Sequence, residues 1–181
     1  MADFKNLKPT DKVCIIVFGN IASGKSSFAR ALAEKINGFK YVCFDQLRID
    51  IYLENHLKSG IEREEMAKKR CRNLLLNNNL VIFETIAVSD YYNKILPELK
   101  HRFKLIFVKI ECQAFICKRR YYNRNMDGYF SIAPPFNSKL SVDEFIDKTE
   151  REQEKLQYDI VFNSEILNTT EMINQFDVFF N

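Results

Sequence analysis

The chain has 181 residues, of which 46% are hydrophobic and 28% charged, with 16 Phe and 8 Tyr; that is enough apolar surface for one folded domain and excludes a mainly disordered chain. Only 5 Gly and 4 Pro exclude collagen-like or linker-like sequence, and no apolar run approaches the roughly 20 residues of a membrane helix. The net charge of +3, from 27 basic and 24 acidic residues, is too small to select a partner class.

Along the chain, the continuous apolar run 13–18 predicts a strand buried on both faces. A helix is expected over 25–36, ending near Gly38, then a strand over 39–44. Two helical stretches follow, 46–57 and 61–77, with Ser59 and Gly60 between them. The run 80–83 reads as a third buried strand, and 90–102 as a helix interrupted or kinked near Pro97. A fourth strand is expected over 105–110 and a helix over 112–124. Gly128, Pro134 and Pro135 mark 125–139 as a loop. Ser141 and Glu144 form a capping-box pattern that opens a charged helix to about 157. A short fifth strand is expected over 159–162, and a last helix from Thr169. Strands alternate with helices throughout, and parallel strands need such crossovers. The fold class is therefore α/β: a central, mostly parallel five-stranded sheet covered on both faces. No repeat or linker divides it, so 1–181 reads as a single domain.

The five cysteines are Cys14, Cys43, Cys71, Cys112 and Cys117, an odd number without a C-x-x-C pair. They predict buried, reduced thiols. Cys112 and Cys117 are expected on one helix, pointing apart. Neither His56 nor His101 has a ligand-spaced partner, which argues against zinc. The first six residues carry no apolar stretch of the secretory kind, so a cytoplasmic location is expected.

The segment Gly19-Asn20-Ile21-Ala22-Ser23-Gly24-Lys25-Ser26 matches G-x-x-x-x-G-K-[ST], between a predicted strand and a predicted helix. Gly19 and Gly24 let the backbone curl so that several N–H groups face one phosphate chain. The helix N-terminus adds partial positive charge. Lys25 is placed to bridge the terminal phosphates, and the Ser26 hydroxyl to ligate Mg²⁺. Asn20, Ala22, Ser23 and Ser27 complete the expected nucleotide contacts. No N-K-x-D guanine motif occurs, so ATP or a loosely selected purine nucleotide is expected.

Asp45 follows the second strand, twenty residues beyond Lys25. Strand ends along one edge of an open parallel sheet converge on the ligand crevice. Asp45 therefore reads as the group that accepts a proton from an acceptor hydroxyl, or as a helix N-cap. Arg48 lies one helical turn on and can face the same side, to clamp an anion or the transferring phosphoryl group. Glu84 and Thr85 end the third strand. They read as residues facing metal, its water shell or substrate hydroxyls, or as a polar pair bonding the next loop.

From 100 to 124 there are eight Lys/Arg and one acid, whereas 141–181 holds ten acids and three bases. The basic cluster suits phosphate binding or a solvated face balanced by the acidic C-terminal part. Within it, Arg119, Arg120 and Arg124 lead into the 125–139 loop, with Arg120 and Arg124 on one helix face. Phosphoryl transfer needs cations on oxygens that gain charge, delivered by a part that opens and closes. A lid over about 112–140 meets that need, with Arg120 catalytic and Arg119 and Arg124 on the nucleotide. Tyr121, Tyr122 and Tyr129 read as packing or stacking residues, and Asn163 as the start of a base-contacting loop. The basic run Lys68-Lys69-Arg70-Cys71-Arg72 reads as a solvated face.

Together these residues resemble the small P-loop kinases, and most nearly the zeta-toxin-like sugar-nucleotide kinases and the polynucleotide 5′-hydroxyl kinases. The resemblance covers almost the whole chain in strand and motif order. It implies a P-loop NTPase three-layer fold with an Arg-bearing lid, using ATP and Mg²⁺. Both families carry D-x-x-R after the second strand, matched here by Asp45 and Arg48. That match implies Asp45 as general base on the acceptor hydroxyl and Arg48 on substrate or phosphate. Glu84-Thr85 is similar to the Glu-Gly-Thr of zeta-toxin-like proteins but lacks the Gly. The lid arginines match by position only.

The expected function is transfer of the ATP γ-phosphoryl group to a hydroxyl of a small-molecule or nucleotide-like acceptor. Lys25, Asp45, Arg48 and Arg120 are the expected catalytic residues, Ser26 the metal ligand, and Asp45, Arg48, Glu84 and Thr85 the acceptor side, with 46–57 and 61–77 forming its walls. Alternatives are a polynucleotide 5′-hydroxyl kinase, a nucleoside monophosphate kinase, or a non-catalytic nucleotide-binding regulatory module. Nucleic acid is permitted as a partner but not demanded, no membrane is expected, and the oligomeric state is left open.

Overall fold

Five short apolar segments pair edge to edge to make the frame of the molecule. In the computed structural model, which describes residues 10–124 and 140–180, β1 (Val13–Gly19) is buried at every position. It lies at the centre of an all-parallel sheet of order β2-β3-β1-β4-β5, with β2 Lys40–Cys43, β3 Leu80–Thr85, β4 Lys104–Glu111 and β5 Ile160–Asn163. Seven helices occur among the described residues: α1 (Lys25–Lys35), α2 (Phe44–Glu54), α3 (Gly60–Leu76), α4 (Asp90–Arg102), α5 (Ala114–Asn123), α6 (Val142–Gln153) and α7 (Thr169–Phe180). The α/β reading, the parallel sheet and the order of elements agree with the expectation.

The period of two along β1 divides the core. Val13, Ile15 and Val17 face α1 and α7, where Phe28, Leu32, Met172 and Phe176 close one layer. Cys14, Ile16 and Phe18 face the other way, onto Leu47 of α2, Leu75 of α3 and Leu99 of α4. Both sheet faces are thus covered, so a central strand with no polar face is stable. A third, smaller cluster joins Cys112, Ala114 and Cys117 to Ile146 of α6.

Several boundaries differ from the sequence reading, each for a local reason. The chain passes directly from β2 into α2, with Cys43 as N-cap; Asp45 is therefore inside the first turn, and the N-cap role does not fall to it. α4 continues through Pro97, which is exposed. α5 begins at Ala114 with Gln113 as N-cap, leaving Cys112 in the preceding link, and Arg124 is its C-cap. Cys112 and Cys117 do not point apart: the Cys117 thiol donates to the Cys112 carbonyl at 3.6 Å. All five cysteines are free thiols, four of them buried. The Ser141–Glu144 capping box forms as expected, and Ser59 with Glu62 forms another. The expected loop 125–139, with Gly128, Tyr129 and the two prolines, lies outside the described residues. No described helix is long and apolar enough to cross a membrane.

Candidate active site

The turn between β1 and α1 is shaped by three backbone constraints. Gly19 sits so close to β4 that an added Cβ would lie 2.4 Å from the Ile110 carbonyl oxygen. Ala22 and Gly24 both take positive φ, 60° and 95°, so the chain reverses sharply before α1 starts. No side chain caps α1 and no acid occupies its first turn, which leaves its leading N–H groups open to an anion. The Lys25 side chain is buried and arches back over the loop, its Nζ donating to the Asn20 carbonyl at 3.2 Å. The Ser23 hydroxyl is fully buried without a partner. A buried ammonium and an orphaned hydroxyl in one curled loop fit a bound phosphate chain.

The Asn20 side chain is engaged within the fold. It is buried, donates from Nδ2 to the Ile146 carbonyl at 2.8 Å, and accepts the Ile21 N–H at 2.8 Å. It ties the loop to α6.

Glu84, next to last in β3, lies level with Val17 of β1 and Cys43 of β2. It is 3% exposed, yet both carboxylate oxygens are satisfied. Oε1 accepts the Ser26 hydroxyl at 2.5 Å, and Oε2 accepts the Tyr41 hydroxyl. Arg30, one turn beyond Ser26 on α1, in turn bonds the Tyr41 hydroxyl. A chain of hydrogen bonds thus leaves α1 at Ser26, crosses β3 and β2, and returns to α1 at Arg30. Because the Ser26 proton is directed to Glu84, the lone pairs of its oxygen are left for a cation. Glu84 itself keeps acceptor capacity for a metal's water shell. The donor set fits Mg²⁺, which favours oxygen ligands and retains several waters. Thr85 Oγ1 accepts the Ala87 N–H at 3.0 Å and shapes the turn after β3, the loop-bonding alternative of the sequence reading, while the residue also lines the neighbouring cleft.

Asp45 opens onto a cleft of about 600 Å³ whose wall also includes Arg48, Glu84 and Thr85. Neighbouring protein displaces part of the water around Asp45, which raises its pKa; Lys25 and Arg48 oppose the rise, while Glu84 and Glu64 add to it. Cleft water tempers this effect, since the side chain is exposed there. The couplings place Asp45 in one electrostatic site with the phosphate-loop lysine. Arg48 is 7% exposed and its Nε is held by Glu64 Oε2 of α3 at 2.8 Å.

The arginines at the end of α5 differ in what they touch. Arg120 donates from Nη1 to Ser164 Oγ at 3.0 Å and from Nη2 to the Ser164 carbonyl at 2.8 Å. Ser164 in turn borders the phosphate loop, its Cβ 3.7 Å from where a side chain on Gly24 would begin. Arg119 and Arg124 are exposed, and Arg124 is the C-cap of α5, four positions beyond Arg120. Tyr121 and Tyr122 pack edge to face, with ring centroids 5.3 Å apart. Asn163 accepts the Glu165 N–H at 2.8 Å and shapes the turn after β5.

Tyr41, Arg30 and Glu64 escaped the sequence reading. Tyr41 lies on β2 two residues before Cys43, the partner of Glu84 in register; a polar tip on the face shared with a buried carboxylate was the available signal. Glu64 is sixteen residues from Arg48, beyond any local pattern. The basic run of α3 divides. Arg70 pairs with Glu54 on the outside, whereas Lys68, Lys69 and Arg72 line the cleft with Lys94 of α4.

No family model and no curated protein matches the sequence. Solved structures do match in fold. A chain of an RNA repair complex aligns over 85% of this chain at 20% identity and TM-score 0.61, although the alignment spans only 49% of that chain. Shikimate kinase from Acinetobacter baumannii, solved with shikimate, aligns over 93% of this chain and 92% of its own at 14% identity and TM-score 0.61. A gluconokinase from Sinorhizobium meliloti aligns over 93% and 90% at 16% identity and TM-score 0.58. With its five parallel strands, its curled loop before α1 and these neighbours, the chain has the fold of the small P-loop kinases.

Proposed function

We propose that the protein is an ATP-dependent phosphotransferase that moves the γ-phosphoryl group to a hydroxyl of a small-molecule or nucleotide-like acceptor. The reading is carried by the place of Asp45, on the wall of a 600 Å³ cleft and electrostatically coupled to Lys25. A carboxylate there meets an acceptor hydroxyl from one side, while the loop delivers the phosphate from the other.

In this mechanism the amides of 19–26 and the Lys25 ammonium hold the β- and γ-phosphates. Lys25 exchanges its Asn20 carbonyl contact for phosphate oxygen. Asp45 accepts the acceptor's hydroxyl proton as the new O–P bond forms and the bridging P–O bond to ADP breaks. Arg48, kept in place by Glu64, stabilises the equatorial oxygens or an acceptor anion. Arg120 bears on the nucleotide side beside Ser164, with Arg119 and Arg124 further along the proposed lid. Ser26 would hold Mg²⁺ directly and Glu84 through water. Mg²⁺, when bound, supplies charge that neutralises β- and γ-phosphate oxygens.

The test is product formation, with γ-labelled ATP, against sugars, nucleosides, sugar nucleotides and 5′-hydroxyl oligonucleotides. The reading expects a phosphate ester of one hydroxyl class. Nucleotide binding with no ester from any class would favour a regulatory module.

A second reading, a polynucleotide 5′-hydroxyl kinase, is favoured by two cleft lysines, Lys69 and Lys94, that carry no ion pair among the described residues. The match to a chain of an RNA repair complex also favours it. That version expects oligonucleotide affinity to fall steeply with salt; a small-molecule acceptor does not.

A further inference from the structure

The link between β4 and α5 brings two thiols and a guanidinium together. Arg120 Nη1 lies 3.4 Å from Cys112 Sγ. The Cys117 thiol, at the end of the first turn of α5, donates to the Cys112 carbonyl at 3.6 Å and also reaches the Cys112 sulfur. Cys112 borders a small cleft of about 170 Å³ that Asn20 and Gln113 share, so a molecule the size of a peroxide has room beside it.

The charges around the pair separate the two sulfurs. Hydrogen bonding from Cys117, then the positive charge of Arg120 and the Ser164 hydroxyl, hold the Cys112 thiol well below its ordinary pKa, against burial and Glu165. Cys117 is pushed up by its bond to Cys112 and by burial, with Arg120 and Lys25 opposing. From α6, Glu150 faces the same link but is engaged by the Ala114 N–H at 2.7 Å. Burial instead pushes up the thiols of Cys14, Cys43 and Cys71. Only one of the five sulfurs is set up as a nucleophile, and a second thiol touches it.

We propose that Cys112 and Cys117 form an oxidant-reactive dithiol at the root of α5, with Cys112 attacking a hydroperoxide and Cys117 resolving the product. In the first step the Cys112 thiolate attacks one peroxide oxygen. An S–O bond forms, the O–O bond breaks, and hydroxide leaves and is protonated to water; sulfur is oxidised by two electrons to sulfenic acid. In the second step Cys117 loses its proton and attacks that sulfur. The S–S bond forms, the S–O bond breaks, and a second water leaves. The balance is two thiols and one hydrogen peroxide giving one disulfide and two waters. The disulfide replaces the Cys112 thiolate that Arg120 contacts with a neutral sulfur, so the step also bears on the guanidinium that braces Ser164 against the phosphate loop.

The experiment treats the reduced full-length chain with hydrogen peroxide near neutral pH, traps residual thiols with a maleimide, and maps the peptides by mass spectrometry. The expected result is an intramolecular Cys112–Cys117 disulfide, formed about tenfold or more faster than modification of Cys14, Cys43 or Cys71. Cys117→Ser is expected to stop at sulfenic acid on Cys112, captured by dimedone. Arg120→Met is expected to slow Cys112 alkylation at neutral pH and to move its pH midpoint up. Equal rates at all five thiols, or no dimedone adduct on Cys112 in the serine variant, overturns the proposal. The wild-type comparison needs no substituted chain, and none of these readouts depends on phosphoryl transfer.

Discussion

The Ser26 hydroxyl donates to Glu84 Oε1 at 2.5 Å, joining the start of α1 to the end of β3. This bond fixes where the serine proton points, and the Tyr41 hydroxyl on Oε2 fixes the carboxylate. Losing the charge in Glu84→Gln is expected to weaken metal affinity of the nucleotide complex by about 10–100-fold. Tyr41→Phe, which removes one hydrogen bond of about 0.5–1.5 kcal/mol, is expected to weaken it by about 2–10-fold. Mn²⁺ titration followed by electron paramagnetic resonance reads both without any turnover. Unchanged metal affinity with a lowered melting temperature would make the pair a staple of α1 and nothing more.

The two loop glycines are expected to fail differently. At Gly19 an added methyl meets the Ile110 backbone oxygen at 2.4 Å, which cannot move without shifting β4. Gly24 has room for a methyl, 3.7 Å from Ser164 Cβ, but its φ of 95° strains any other residue. Gly24→Ala should cost about 1–3 kcal/mol of stability and leave a folded protein with weaker nucleotide binding. Gly19→Ala should displace the loop from the sheet and cost more in both. Paired melting curves and nucleotide titrations compare them.

Much of this was legible in the sequence because short apolar runs and one dense motif carry it. The β1 run, the G-x-x-x-x-G-K-S loop and the following helix depend on neighbours within a few residues, and so did the Ser141–Glu144 cap. The end of β2 was less legible: Cys43 is both the last strand residue and the N-cap of α2, so no turn residue marks the change. Tertiary pairings were not readable at all. Glu64 meets Arg48 across two helices, and Arg120 turns to Ser164 of the β5 loop, forty-four residues away. Placing Lys68 and Arg72 in a cleft required the tilt of α3 against α4, which helical periodicity does not encode.

Stability and chemistry should separate at Phe28. Its ring is fully buried on the α1 side of the sheet, with ring centroids 5.4 Å from Phe162 and 5.9 Å from Phe176. Phe28→Ala leaves a cavity among these rings and should cost about 3–5 kcal/mol. Chemical denaturation is the measurement, and a loss under 1 kcal/mol would mean that the α1–α7 layer is not the core that it resembles.

Activity against pH should carry the signature of Asp45. Its pKa is raised first by loss of surrounding water, with Lys25 and Arg48 restraining the rise. The protonated acid cannot accept a proton, so log(kcat/KM) is expected to fall as pH drops through a value above the ordinary aspartate, about 3.9. Arg48→Met removes a charge that lowers this pKa and should move the acid limb further up. For stability the sign is opposite to that of a paired carboxylate. The folded pKa lies above the unfolded one, so ionised Asp45 opposes folding at neutral pH and the opposition fades as pH falls through the folded value. Asp45→Asn is therefore expected to melt no lower than the parent at pH 7.

That same substitution tests the central claim most directly. With ATP affinity measured by titration and transfer measured with the best acceptor, Asp45→Asn should bind ATP as the parent does and lose about 10²–10⁴-fold in transfer rate. Transfer at the parental rate, with binding intact, would contradict the assignment of Asp45 as the base facing the phosphate loop.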